Sequence, residues 1–305
     1  MSKLHDLHPI SPAGNAAEGS TPQGTVQVSA EPHLQIALPP RWTCVEVRSV
    51  LPGGSSQPLL AIVEDGEHNA HRIVLKLRQP EMKSRGDHNF EGTSLACELV
   101  CSILARALGI EVPDYGIVEL DQQVIEEVRE RRLAEVLKRN IGPQFGCLFL
   151  DGAAEGPPAR ADSTEMNDAL EDVAVFDASV INGDRQERKP NLLRWKGKVV
   201  AIDHALAVPV HQLPLLEEGH PYFFEPSNIR EHCSYTPLRL QKRPFSRLHT
   251  QWRSGFTDEQ WVQVRNSIPS SWERNPGDLD KILAFLRDRH LRSPRVSSGL
   301  CEVMQ

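Results

Sequence analysis

The hydrophobic and polar positions of the first half of the chain follow two different periods. Thr43–Val50 alternates apolar and polar residues, Leu59–Val63 is a short apolar run, and His71–Leu77 returns as a third apolar segment. These segments predict three strands. The turns between them are Leu51–Pro58 and Glu64–Ala70, the second with Asp65-Gly66 at its tip, so the strands form an antiparallel meander. From Ser94 to Leu108 the period changes to that of a helix. Leu95, Leu99, Val100, Ile103, Leu104, Ala107 and Leu108 share one face, Gly109 is placed to cap the C-terminus and Pro113 prevents continuation. Tyr115–Leu120 reads as a strand, Val124–Arg139 as one helix and Phe145–Leu150 as a short apolar strand.

Asp151–Asp162, rich in Gly, Ala and Pro, reads as a linker. Thr164–Ile181 predicts a second long helix with the stripe Met166, Leu170, Val173, Ala174, Val180 and Ile181. Asp177 falls on that stripe, where a carboxylate needs a buried partner. Asn191–Trp195 and Val199–Ile202, joined by Lys196-Gly197-Lys198, predict a hairpin. The segment 205–250 reads as irregular, and Thr257–Ile268 and Asp278–His290 as two closing helices. The fold class expected from this order is α+β: a two-lobe arrangement with a β-rich first lobe holding one long helix and a mainly helical second lobe. Its boundaries are a disordered leader at 1–40, an N-lobe and hinge at 41–150, a C-lobe at 151–290 and a tail at 291–305.

Composition narrows the function classes. The chain of 305 residues is 39% hydrophobic and 25% charged, enough for a globular core. A net charge of -7 supplies no basic surplus for nucleic acid or an anionic membrane. No apolar run approaches the roughly 20 residues a bilayer-spanning helix needs. Six scattered cysteines form no C-x-x-C pair, which fits small core thiols in a reducing, cytoplasmic compartment.

Three pieces carry candidate chemistry. Gly53-Gly54-Ser55-Ser56 lets backbone N–H groups approach a phosphate, although such a turn also serves a plain hairpin. Lys76 ends an apolar strand, and Glu98 on the following helix is a possible partner; without it a strand lysine simply faces solvent. A strand lysine held by a helix glutamate positions nucleotide phosphates in protein kinases. Last, Asp184 follows a helix, Asn191 opens a strand and Asp203 closes the next. A carboxylate there can orient a hydroxyl and take its proton, and an Asp with an Asn offers hard oxygens to magnesium.

Together these residues resemble the HipA-like kinase family in its short form, an atypical protein-kinase-like fold with features shared by phosphatidylinositol kinases. The resemblance is carried by Gly53–Pro58, Arg72–Leu77, Glu98–Gly109, Phe176–Arg185, Pro190–Leu193 and Ile202-Asp203-His204. It implies ATP- and magnesium-dependent phosphoryl transfer to an alcohol group, with Ser or Thr of a protein substrate as the leading acceptor. It also implies roles: Asp184 as catalytic base, Lys76 on the phosphates, Glu98 holding Lys76, Asn191 and Asp203 on magnesium, Gly53, Gly54, Ser55 and Ser56 over the phosphates, and Phe149 in the hinge beside adenine. One position departs from the family pattern. Asn is expected five residues after the catalytic Asp, and Lys189 stands there, with Asn191 two residues further. The alternatives are therefore a catalytically weak or silent nucleotide-binding pseudokinase and a lipid kinase. Oligomeric state is not encoded in any motif.

Overall fold

The structure, a computed structural model, describes residues 34–52, 57–78, 93–157, 163–208, 226–239, 241–248 and 255–304. All belong to one unit spanning Pro32–Gln305. Of the expected disordered leader at 1–40, residues 1–33 lie outside the described residues, as does the Gly53–Ser56 turn, whereas Leu34 and Ile36 pack against the larger hydrophobic cluster and so are ordered by apolar contact.

Five strands close a small barrel: β1 (Arg41–Val50), β2 (Leu59–Glu64), β3 (Ala70–Lys76), β4 (Tyr115–Leu120) and β5 (Gly142–Leu148), in the order β1-β2-β3-β5-β4. The expected meander is its first three strands, paired antiparallel. The turn between β2 and β3 is tied by Asp65, whose Oδ1 accepts the backbone N–H groups of Glu67 and Asn69, both at 2.9 Å. Closure comes from β4, which runs parallel to β1 and antiparallel to β5. Period-two alternation gives each strand two faces. On β3, Ile73 and Leu75 point into the barrel core with Trp42, Ala61, Val63 and Val118. Val74 and Lys76 point to the opposite side.

That outer face is covered by α1 (Thr93–Ala107), whose residues Ser94 to Ala105 are all buried. Burial on every side explains why its polar positions Glu98 and Ser102 are inside as well. The helix expected over Val124–Arg139 is two pieces, α2 (Gln122–Glu126) and α3 (Arg131–Lys138). Asp121 starts α2 early by accepting the N–H of Val124 at 3.1 Å. Val124, Ile125, Leu133, Val136 and Leu137 close one end of the barrel.

The second hydrophobic cluster gathers α1 with α4 (Thr164–Val180), the hairpin of β7 (Leu192–Trp195) and β8 (Lys198–Ala201), and the C-terminal helices. β7 also pairs with β6 (Ala154–Glu155), inside the segment expected to be only linker. Within the segment expected to be irregular, two short helices form, α5 (Pro226–Glu231) and α6 (Tyr235–Leu238). α7 (Asp258–Ser267) carries a full capping box between Thr257 and Gln260. The expected tail at 291–305 is corrected by α8, which runs from Asp278 to Met304. Val296, Leu300 and Met304 of that stretch are buried in the second cluster, so apolar contact carries the helix onward.

Candidate functional site

Val74 and Lys76 of β3, Tyr115 of β4, and Phe145 and Cys147 of β5 face one way because their registers match: Val74 and Tyr115 both pair with Cys147, and Lys76 pairs with Phe145. They form one wall of a cleft of about 370 Å³. Glu98 and Ser102 of α1 line its back, and Lys189, Asn191, Leu193 and Ile202-Asp203-His204 line the wall opposite. The cleft is apolar around Val74, Phe149 and Leu193 and charged at the Lys76 end.

At that end, Lys76 Nζ lies 3.0 Å from Glu98 Oε1 and 2.8 Å from Asp203 Oδ1. Sequence separations of 22 and 127 residues are thus brought to one ammonium group. Burial would lower the Lys76 ammonium, but the charges of Asp203 and Glu98 outweigh it and hold it above the usual lysine value. Burial likewise pushes Asp203 up, and the charges of Lys76 and Lys189 win, holding its carboxyl below the usual range. Glu98 goes the other way: burial dominates and raises it, with Lys76 offsetting part. Its second oxygen has no hydrogen-bond partner among the described residues.

Asp184 sits in the turn after α4, its N–H bonded to Asn182 Oδ1 at 3.3 Å. Its Oδ2 accepts from Lys189 Nζ at 2.5 Å and from Asn191 Nδ2 at 3.1 Å. Lys189 Nζ is also 3.7 Å from Asp203 Oδ2. Asp184, Asn191, Asp203 and Lys189 therefore form one group around a single ammonium. Among the described residues no three His, Cys, Asp or Glu side chains gather at metal-binding spacing, so a metal here would need the Asn191 amide oxygen beside Asp203. Asn191 and Asp203 both have positive φ, 45° and 60°, an uncommon conformation for residues with a Cβ and one that clusters at functional sites.

A fully buried network holds this arrangement. Asp177 accepts from Arg185 Nε at 2.5 Å, from Asn182 Nδ2 at 2.9 Å and shares a 2.9 Å contact with His232 Nε2. Burial acts to raise Asp177, but Arg185 and His232 outweigh it and lower it. Arg185 Nη1 donates to the carbonyls of Asn191 and Ile202, the latter at 3.0 Å. One guanidinium thus ties the Asp184 turn to the residues that begin and end the hairpin. The stripe position of Asp177 signalled that it had a partner. That its partners are Arg185 and His232 had no local signal, since His232 lies 55 residues away in a segment with no clear period.

His204 is buried edge-to-face on Phe176, with ring centroids 5.7 Å apart. Burial, with the nearby Arg185 charge, lowers its pKa to about 3, so the ring is neutral. Phe149 lines the cleft, with the Arg72 guanidinium 5.4 Å from its ring centroid. Its backbone N–H is engaged by the Arg72 carbonyl at 2.9 Å.

The model of the HipA-like kinase family matches residues 82–289, more than half of the chain, and the chain belongs to that family of kinase-type phosphotransferases. Lys76 lies outside the matched segment. No curated protein sequence matches the chain. Among solved structures, it is similar to the Helicobacter pylori proinflammatory kinase CtkA, at 10% identity and TM-score 0.49, over 87% of this chain and 98% of that one. A MAP kinase from Leishmania major aligns at 10% identity and TM-score 0.27, over 84% of this chain and 82% of that one.

Proposed function

We propose that the chain is a bilobal, ATP- and magnesium-dependent kinase that phosphorylates Ser or Thr of a protein. Its N-lobe and hinge would span 41–150 and its C-lobe 151–290. The observation that carries this reading is the Glu98–Lys76–Asp203 chain at the end of an apolar cleft. Phosphoryl transfer asks little covalent chemistry of the protein; it needs charge neutralisation and positioning. Lys76, fixed between two carboxylates, is placed to meet phosphate oxygens. Glu98 fixes its direction from behind. Val74, Leu193 and Phe149 offer apolar surface to a base, and a cleft of this size accommodates a nucleotide-sized ligand.

The residues fit magnesium by their chemistry. Asp203 and Asn191 present hard oxygens beside a spot where a cation, the Lys189 ammonium, already meets two carboxylates. Magnesium, held there by Asn191 and Asp203, would neutralise phosphate charge. Asp184 is the candidate base, within the same group and 20% exposed at its side chain, open to an incoming hydroxyl. Gly53–Ser56 would cover the phosphates. No helix among the described residues is long and apolar enough to cross a membrane. A protein substrate in the cytoplasm is the reading that the family and the acidic net charge favour.

A second reading, a nucleotide-binding pseudokinase, is favoured by the 2.5 Å pairing of Lys189 with Asp184, which occupies the base. The two are separated in order. ATP with magnesium at 100 times its dissociation constant should stabilise the fold by about 2.7 kcal/mol, read as a thermal shift. Asp203→Ala should abolish magnesium-dependent phosphate transfer. No shift with any nucleotide sinks both readings. Transfer of labelled phosphate to Ser or Thr of a protein, abolished by Asp184→Ala, identifies the enzyme; binding without transfer identifies the pseudokinase.

A further inference from the structure

The loop from Gln186 to Asn191 places an ammonium where the family pattern expects an amide. The position of Lys189 on that loop is set by its backbone. Its N–H donates to the Gln186 carbonyl at 3.0 Å, and the Gln186 N–H donates back at 3.1 Å. Gln186 is bridged in turn to His232, whose ring contacts the buried Asp177. From this anchored point the side chain reaches inward, 2.5 Å from Asp184 and 3.7 Å from Asp203, although it is one-third exposed and had water as an alternative.

Charge explains what it does there. Among the described residues the Asp184 and Asp203 carboxylates are paired with the ammonium groups of Lys76 and Lys189. Without Lys189 they would present one more uncompensated negative charge to the end of the cleft that must receive phosphates. A unit charge about 4 Å away changes that interaction by a factor of ten or more once it is partly shielded from water. A metal ion ordinarily supplies this neutralisation in kinases.

We infer that Lys189 is a resident counter-ion between Asp184 and Asp203, and that the cleft therefore binds a nucleoside triphosphate without a divalent metal. The inference rests on the nucleotide reading above and concerns binding; transfer keeps its requirement for magnesium. Lys189 acts as a positioning residue, through the two carboxylates it pairs. The same pairing makes it a competitor for the metal, so removing its charge should increase the dependence on magnesium.

The experiment measures ATP binding to the full chain by calorimetry, in magnesium and in EDTA, for the wild type, Lys189→Gln and Lys189→Arg. The wild type should weaken by less than about threefold in EDTA, Lys189→Gln by about tenfold or more, and Lys189→Arg should follow the wild type. Binding by Lys189→Gln in magnesium serves as the check that it folds. A wild type that loses more than tenfold in EDTA overturns the inference whatever the variants do, as does an equal loss in wild type and Lys189→Gln. Absence of ATP binding in all three proteins under both conditions overturns the nucleotide reading and this inference with it.

Discussion

At the scale of single residues, the most consequential group outside the cleft is Asp177. It is fully buried, and its carboxylate neutralises Arg185, which in turn holds the carbonyls of Asn191 and Ile202. Asp177→Asn preserves shape but leaves a buried guanidinium without its counter-charge. Breaking a buried pair by removing one partner costs about 3–5 kcal/mol, so urea unfolding at pH 7 should show a loss of that order. The pH dependence has a definite sign. Because the folded-state pKa of Asp177 is lowered, its contribution is complete above the unfolded value of about 3.9 and is lost as pH falls through the lower folded value. The stability gap between wild type and Asp177→Asn should therefore be constant from pH 7 to about pH 5 and close below pH 4. A gap that stays constant at pH 3 would mean that the carboxylate charge is not what stabilises the fold. Much of this was legible in the chain: Lys76, Glu98, Asp184, Asn191 and Asp203 were each marked by residue type and order, and the structure brings them together. What could not be read was the company they keep. Lys76 pairs with Asp203 as well as Glu98, and Asn191 donates to Asp184, contacts that depend on how two distant segments meet.

At the scale of elements, strand and helix positions followed closely from period, and closure of the barrel did not. β4 was expected over the residues it occupies, Tyr115–Leu120, yet its parallel pairing with β1 has no local signature. The mark of closure is a pair of glycines. A Cβ on Gly116 would lie 2.8 Å from the Pro40 carbonyl oxygen and 3.0 Å from the Trp42 indole. One on Gly146 would lie 2.6 Å from Val118 Cγ2 and 2.8 Å from Ile73 Cδ1. All four distances are below van der Waals contact, so the strands can approach around the Trp42 ring only because side chains are missing there. Gly146→Val should overpack this interior, and added methyl groups in a close-packed core cost about 1–3 kcal/mol. Because β5 also carries Phe145 and Cys147 on the cleft side, the strain should reach the site. The expected result is a lower urea midpoint together with weaker ATP binding. Unchanged stability would show that the barrel is looser than these distances require. The split of the expected Val124–Arg139 helix has a similarly non-local cause: α2 and α3 each present apolar residues to the barrel end, which one straight helix would not do.

At the scale of the whole molecule, the C-terminal helix decides how much of the chain is one cooperative body. The sequence pattern ends the helix at His290 and predicts a tail beyond; Ser293-Pro294 lies in that stretch, and a residue before proline is biased away from the helix. Tertiary burial overrides that bias. α8 packs against α4, α5 and α1, and its last turns place Val296, Leu300 and Met304 in the larger hydrophobic cluster. Near its end, Cys301 Sγ donates to the Pro244 carbonyl at 3.1 Å, close to Arg243, which pairs with Glu171 on α4. The helix therefore stands behind α4, the element that delivers Asp177 and leads into the Asp184 turn. Burying each such apolar side chain contributes roughly 1.5–3 kcal/mol, and whole domains are stable by only about 5–15 kcal/mol. Truncation after His290 should thus remove a large fraction of the unfolding free energy, lowering the urea midpoint markedly. Added ATP should restore only part of it, because binding stabilises by an amount set by ligand concentration and not by the missing core. A frayed tail would behave differently: the truncated chain would match the full one in urea midpoint and in the size of its ATP-induced thermal shift. Equal midpoints would therefore detach 291–305 from the core, and a lowered midpoint with a retained ATP shift would show that the helix supports the site by holding α4 in place.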